Sequence, residues 1–381
     1  MRRLILASAG AGKSRLLVGE AIEKANAGSS VLLLTYTENN QKELLKKICL
    51  ENGCKPANIT IKGWFTFLLE DMIRPYQRCI FPERIEGVNF NSKNPHKTSK
   101  GKNIPGTAER VYGEYNTIHY LKKGSNKVHT INIAKLASRI IKESKSKPIF
   151  RLAEIFDAIY IDEVQDLVGY DFEVLKAINK STCEDFVCVG DFRQTVYATS
   201  IASKAPKDNA EKFQAFKDIG FQDEHLSVSW RCIQPICDFS DLVHAEERHY
   251  LPTSSKVNEI PDKFSNHVGV FSVHSDDLTE YINKYNPVIL RLNRSTQMEV
   301  CKDRSSFNFG EAKGLGFDRV LVISTEKHRK FISGDFAVFN DDKTEKARNT
   351  FYVAITRARY SIAFVYDGVE TCSQVEQWIN D

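Results

Sequence analysis

The chain has 381 residues, a formal net charge of +4, 42% hydrophobic and 27% charged side chains, and nine cysteines. Its length suggests two or three domains of ordinary globular composition, and no stretch approaches the roughly 18 apolar residues of a membrane span. The cysteines form no Cys-x-x-Cys pair, and Cys183/Cys188 and Cys232/Cys237 sit in apolar surroundings, so they read as packed, reduced thiols of a cytoplasmic protein with no membrane partner.

The first element is a short buried strand at Leu4-Ile5-Leu6, too short for a signal peptide, whose apolar region runs to roughly 7–15 residues. It leads into Ala7-Ser8-Ala9-Gly10-Ala11-Gly12-Lys13-Ser14, the end of a Walker A loop with Ala7 in the place of the usual first glycine. The backbone N–H groups of Ala9 to Ser14 would cradle phosphate at the start of a helix. Lys13 would reach the β/γ-phosphates of a nucleotide, and the Ser14 hydroxyl would hold Mg²⁺.

Further along, residues 91–127 carry eight lysines and arginines against two glutamates, a local +6, which suggests an anionic partner or a solvated loop. Within it, NSKNPHKTSKGKNIPG is expected to be disordered or lid-like. The next strand is Ile159-Tyr160-Ile161, with Asp162-Glu163 at its carboxyl end, where α/β sheets hold ligands. Asp162 can hold Mg²⁺ and Glu163 can accept a proton from an attacking water. A third strand, FVCVG, ends in Gly190-Asp191 and then Gln194, an amide placed to touch a γ-phosphate or its water. The alternation of apolar runs and amphipathic stretches is a βαβ signature.

GAGKS, DEVQD and VGDFRQTVY in this order resemble motifs I, II and III of the superfamily 1 DNA helicases of the UvrD/Rep/PcrA type. VLLLTYTENNQKELLKKI (31–48) resembles motif Ia, LSVSWRCIQPI (226–236) motif IV, GEAKGLGFDRVLVIS (310–324) motif V and FYVAITRARYSIAFVY (351–366) motif VI, while PVILRLNRS (287–295) resembles the strand after motif IV. The resemblance implies an α/β fold of two RecA-like P-loop NTPase cores with parallel sheets and ATP hydrolysed between them. The first core would span 1–67 and 149–222, interrupted by a small basic insertion at 68–148; the second would span 223–381. It also implies that Glu163 is the catalytic base, Gln194 the γ-phosphate sensor, and Arg231 and Arg357 arginine fingers from the second core. Trp230 takes the place of the aromatic that stacks on the base, Arg15 that of an arginine beside it, and Tyr36 and Tyr197 those of contacts to single-stranded DNA.

The departures are specific. The P-loop strand begins at about residue 3, leaving no room ahead of it for the family's adenine-reading glutamine segment. Motif V has Gly316 where the family commonly has a glutamate near the ribose. Trp230 and Arg15 are indifferent to the base, so relaxed nucleotide selectivity is expected. Tyr197 is followed by Ala198 and Thr199 rather than a further stacking aromatic, and Phe65 stands where a histidine is common. Arg294 to Glu311 leaves only a connecting loop in place of the family's 2B domain.

The reading is therefore an ATP-dependent single-stranded DNA translocase or helicase, with ATP and Mg²⁺ as cofactors and single-stranded DNA or DNA ends as partner. The alternative is a DNA-sensing regulatory ATPase that switches a partner such as a nuclease. Some bacterial defence systems pair a compact UvrD-like protein with a nuclease, as Gabija does, and this chain is similar in kind. A small-molecule P-loop kinase fits poorly, since DEVQD resembles a water-activating set.

Overall fold

The computed structural model describes residues 1–91, 93–181, 183–196, 204–247, 249–296, 299–342 and 344–380. It is an α/β protein with two six-stranded sheets. The chain divides into two compact units, one of 1–5, 13–190 and 197–224, the other of 6–12, 191–196 and 225–381.

In chain order, the first sheet uses β1 (Arg2–Ala7), β2 (Val31–Thr35) and β3 (Ile59–Gly63), with helix α1 (Lys13–Asn26) after β1 and α2 (Glu38–Asn52) after β2. A short parallel pair then forms between β4 (Gly87–Asn89) and β5 (Lys127–His129), followed by helix α3 (Thr130–Glu143). The sheet resumes with β6 (Ala158–Ile161), β7 (Asp185–Gly190) and β8 (Gln222–Leu226), in the order β8-β1-β7-β6-β2-β3. The pairings β2–β3, β2–β6 and β6–β7 are all parallel. All residues of β2 and β6 are buried, as both faces of a parallel sheet require. Asp162 donates its N–H to Leu34 O at 2.8 Å, so the acidic pair begins where the β2–β6 ladder ends.

The second sheet comprises β9 (Gly269–Val273), β10 (Val288–Arg291), β11 (Ser306–Asn308), β12 (Phe317–Val322), β13 (Ala358–Val365) and β14 (Glu376–Gln377), with helix α4 (Lys346–Ile355) leading into β13. Its order is β11-β10-β12-β13-β9-β14, and every pairing is parallel. Alternation along these strands divides the core. Val270, Leu290, Val320, Val322, Ile362 and Phe364 pack into one cluster. Their neighbours Phe271, Ile289, Leu321, Ile323, Ala363 and Val365 pack into another.

Two expectations change. Residues 294–311 are not only a loop: β11 lies within them and pairs with β10 through Ile289–Ser306, Leu290–Phe307 and Arg291–Asn308. The segment expected to be disordered or lid-like makes backbone bonds of its own between residues 96 and 104. Thr98 N donates to Lys102 O and Ile104 N to His96 O, both at 2.8 Å. The His96 ring lies tilted against the buried His119 ring, 4.6 Å between centroids, which anchors the segment. All nine cysteines are free thiols, and Cys183, Cys188, Cys232 and Cys237 are buried.

Candidate nucleotide site

The first unit holds Lys13, Ser14 and Arg15 in the opening turn of α1, and Asp162 and Glu163 just beyond β6. Lys13 and Ser14 are half-buried and Arg15 is exposed. Asp162 is buried, and its Oδ1 accepts the Glu163 N–H at 2.9 Å. Burial and the neighbouring Glu163 charge push the Asp162 carboxyl up to about 7, against the pull of Lys13. Glu163 itself has a left-handed backbone, φ 56°, a conformation that costs a non-glycine residue roughly 1–2 kcal/mol. That turn is over-determined: the Gln165 amide donates to Glu163 Oε2, and the buried Lys212 ammonium donates to Gln165 O. Tyr36 is half-buried after β2, its ring edge-on to Phe65 at 5.6 Å. Tyr197 lies outside the described residues.

The second unit contains the loop of residues 6–12. Gly10 and Gly12 adopt φ of 74° and 80°, which a side chain resists. A Cβ on Gly10 would fall 2.6 Å from Arg231 Cβ and 2.8 Å from Ser229 Oγ, so sterics as well as φ require glycine there. Ala9 O accepts from Ser229 Oγ at 2.9 Å, Gly10 O accepts from Trp230 N at 2.9 Å, and Ala11 is buried beside them. The Trp230 ring is 65% exposed beside this loop. Gln194 and Arg357 are joined: Arg357 Nη2 donates to Gln194 Oε1 at 3.1 Å, and Gln194 Nε2 donates to Asp191 Oδ2 at 2.7 Å. The remaining Arg357 bonds go to Val353 O, Leu315 O and Thr356 Oγ1, all neutral acceptors. Burial and the nearby Arg231 charge lower its pKa to about 9. Arg231 donates to Thr356 O at 3.2 Å and passes 3.4 Å from where a Cβ on Gly316 would stand.

Sequence reasoning missed the group that ties this unit together. Arg193 is buried and donates to Ser8 Oγ at 2.8 Å, to Asp241 Oδ1 at 3.0 Å and to Asp191 Oδ1 at 3.4 Å. Its guanidinium lies 4.7 Å from the Tyr250 ring centroid and 4.6 Å from that of Tyr352. Burial alone would lower the Arg193 pKa, but Tyr352, Asp191 and Asp241 outweigh it and the net shift is upward. Tyr352 OH accepts from Ala9 N at 3.3 Å and donates to Asp191 Oδ2 at 3.4 Å. The only available signal was an arginine inside VGDFRQ, a position that reads as a turn.

Ser14 and Asp162 supply the hard oxygen ligands a magnesium ion takes, and the buried Asp162 carboxylate gains from a nearby cation. Arg357 is a buried cation whose hydrogen-bond partners are all uncharged, and a phosphate would supply the missing negative charge.

The comparisons with known proteins agree at the level of the family. An AAA domain matches residues 2–200, more than half of the chain. No curated protein matches. Among solved structures, the chain is similar to a PRRSV helicase at 14% identity and a TM-score of 0.43, covering 96% of this chain and 52% of that one. It is also similar to the arterivirus nonstructural protein 10 helicase in complex with DNA, at 13% identity and a TM-score of 0.41, covering 96% and 60%. The chain thus spans about half to three-fifths of the length of these helicases. With its glycine-rich loop, the lysine and serine opening α1 and the acidic pair after β6 all inside the matched residues, the chain belongs to the AAA domain family.

Proposed function

We propose that this protein hydrolyses ATP to drive movement along single-stranded DNA, in the manner of the UvrD/Rep/PcrA helicases its motifs resemble. The observation that carries the reading is the Arg357–Gln194 pair, a buried guanidinium bonded only to neutral oxygens and holding the amide expected to sense a γ-phosphate. Lys13 and the N–H groups of the 9–14 loop bind the phosphates, and Trp230 and Arg15 lie along the base. Ser14 and Asp162 would hold the magnesium ion, whose positive charge offsets the negative charge of the phosphates when bound. Glu163 takes the proton from the attacking water, oriented by its bond to Gln165. Arg231, Arg357 and Gln194 stabilise the charge that develops on the transferred phosphoryl group. Tyr36 and Tyr197 contact the DNA.

Base selectivity is relaxed in this proposal, because the exposed Trp230 ring stacks on any base and Gly316 brings no carboxylate to the ribose. The test is steady-state hydrolysis of ATP and GTP, with and without single-stranded DNA, beside Lys13→Ala and Glu163→Gln. DNA-stimulated turnover of both nucleotides, lost in both variants, is expected. Hydrolysis indifferent to DNA would overturn the motor reading. Stimulated hydrolysis without displacement of a tailed duplex would favour the regulatory ATPase that switches a partner.

A further inference from the structure

Three aromatic rings of the first unit form a row that continues beyond the motif Ia tyrosine, Tyr36. Phe65, following β3, packs edge-on against Tyr36 at 5.6 Å and against Phe90 at 5.9 Å. Tyr36 and Phe65 are half-buried, whereas Phe90, just past β4, is 75% exposed. The row therefore leads from the carboxyl ends of two core strands outward to a ring in water.

Phe90 is held in place from both sides. Asn89 is in register with His129 on β5, and its amide lies 3.3 Å from His129 Nδ1. Asn91 N donates to Thr130 Oγ1 at 3.0 Å, and Asn91 Oδ1 lies 3.0 Å from the same His129 nitrogen. With both neighbours tied to β5 and the start of α3, the ring is presented at little further entropic cost. Presenting a rigid ring without ordering cost is what a stacking contact rewards.

The charge around this ring selects the partner. Lys93, Lys97, Lys100, Lys102, Lys122, Lys123 and Lys127 are all exposed, and none is ion-paired among the described residues. By contrast, Lys135 and Arg139 of α3 share an ion pair with the single carboxylate of Glu109, and Arg110 pairs with Glu143. Lys127 is in register with Gly87, three residues before Phe90, and Lys93 follows three residues after it. An exposed ring among unneutralised lysines matches a strand whose bases are unstacked and whose phosphates are bare, since each base offers a π-face and each phosphate a charge.

We propose that Phe90, backed by Phe65, is a base-stacking platform for single-stranded nucleic acid, extending the Tyr36 contact into the inserted segment. The proposal rests on the DNA-tracking reading above. The experiment is fluorescence anisotropy of a labelled oligodeoxythymidine with the full chain, Phe90→Ala and Phe90→Trp, at two salt concentrations, with the far-UV spectrum confirming each fold. Phe90→Ala is expected to weaken binding by about 5- to 100-fold while Phe90→Trp retains it, and salt is expected to weaken all three. If the unaltered chain binds and Phe90→Ala binds equally well, or if Phe90→Trp loses as much as Phe90→Ala, the stacking platform is overturned and the motor reading stands. If the unaltered chain does not bind the oligonucleotide, both fall together.

Discussion

Arg357 shows how much chemistry a single position can hold. Four hydrogen bonds take its guanidinium to Val353 O, Leu315 O, Thr356 Oγ1 and Gln194 Oε1, so the side chain is fixed before any ligand arrives. Fixed donors need no reorganisation as charge develops on a phosphoryl group, which is where their advantage over water lies. Arg357→Ala should lower the rate of ATP hydrolysis by about 10³-fold or more, the range found for an arginine that stabilises phosphoryl transfer. The same change strips the buried Gln194 Oε1 of its Arg357 donor, at roughly 1–3 kcal/mol for a buried group left unpaired. Steady-state turnover and a denaturant titration of the same variant separate the two losses. An unchanged turnover rate would remove Arg357 from the catalytic set.

At the scale of elements, Arg193 connects three stretches that are distant in sequence: the loop holding Ser8, the turn holding Asp191 and the helical segment Gln234–Asp241. Removing one partner of such a buried network leaves the other charges stranded, so Arg193→Ala should cost about 3–5 kcal/mol, read as a lower denaturant midpoint. An isosteric Arg193→Met that is equally stable would show the network to be dispensable for folding. This element was not legible in the sequence, because nothing local distinguishes a buried arginine in a turn from a solvated one. What was legible is the set of strands that end at the site. Leu4–Leu6, Ile159–Ile161 and Phe186–Val189 are continuous apolar runs because their sheet is buried on both faces; the acidic pair Asp162-Glu163 marks where the second stops and Gly190-Asp191 where the third does. Strand β11 escaped for the opposite reason: Ser306-Phe307-Asn308 has one apolar residue, and its place is set by pairing to β10 rather than by its own pattern. Phe90 escaped likewise, since an aromatic in a polar stretch reads as a loop residue until its neighbours are seen tied to β5.

Across the whole molecule, histidine burial sets the response to acid. His96, His119 and His129 in the first unit and His267 and His328 in the second all have lowered pKa values, in each case chiefly through burial. His267 is lowered to about 4 and His328 to about 3. An unfolded histidine titrates near about 6.5, so between that pH and the folded value the unfolded chain binds the extra proton. Stability from these groups is complete above about 6.5 and is lost as the pH falls towards 4 and then 3. The thermal midpoint should therefore decline before carboxylates of ordinary pKa titrate. His328→Phe, which replaces a ring stacked 4.3 Å from Phe351, should flatten that decline. A midpoint constant from pH 7 to 5 would contradict the assignment. In the lower part of this window Glu109 adds a second loss. Burial would raise its pKa, but Arg139, Lys135 and Tyr120 hold it down at about 2, so its contribution disappears as the pH drops below about 4.5.

The route of the backbone carries a further consequence. The second unit is assembled from residues 6–12, 191–196 and 225–381, so the chain passes from one unit to the other five times. Ala9 belongs to its apolar core, Asp241 is paired with Arg193, and Arg357 is bonded to Gln194. A fragment beginning at residue 225 would keep its whole parallel sheet yet lack those partners, and so would not be an autonomous folding module. During synthesis the loop of residues 6–12 waits until residues 229–352 have been made before Ser229, Trp230 and Tyr352, which it bonds to, exist. Neither unit can therefore be inherited, cut out or transplanted by a single break in the gene.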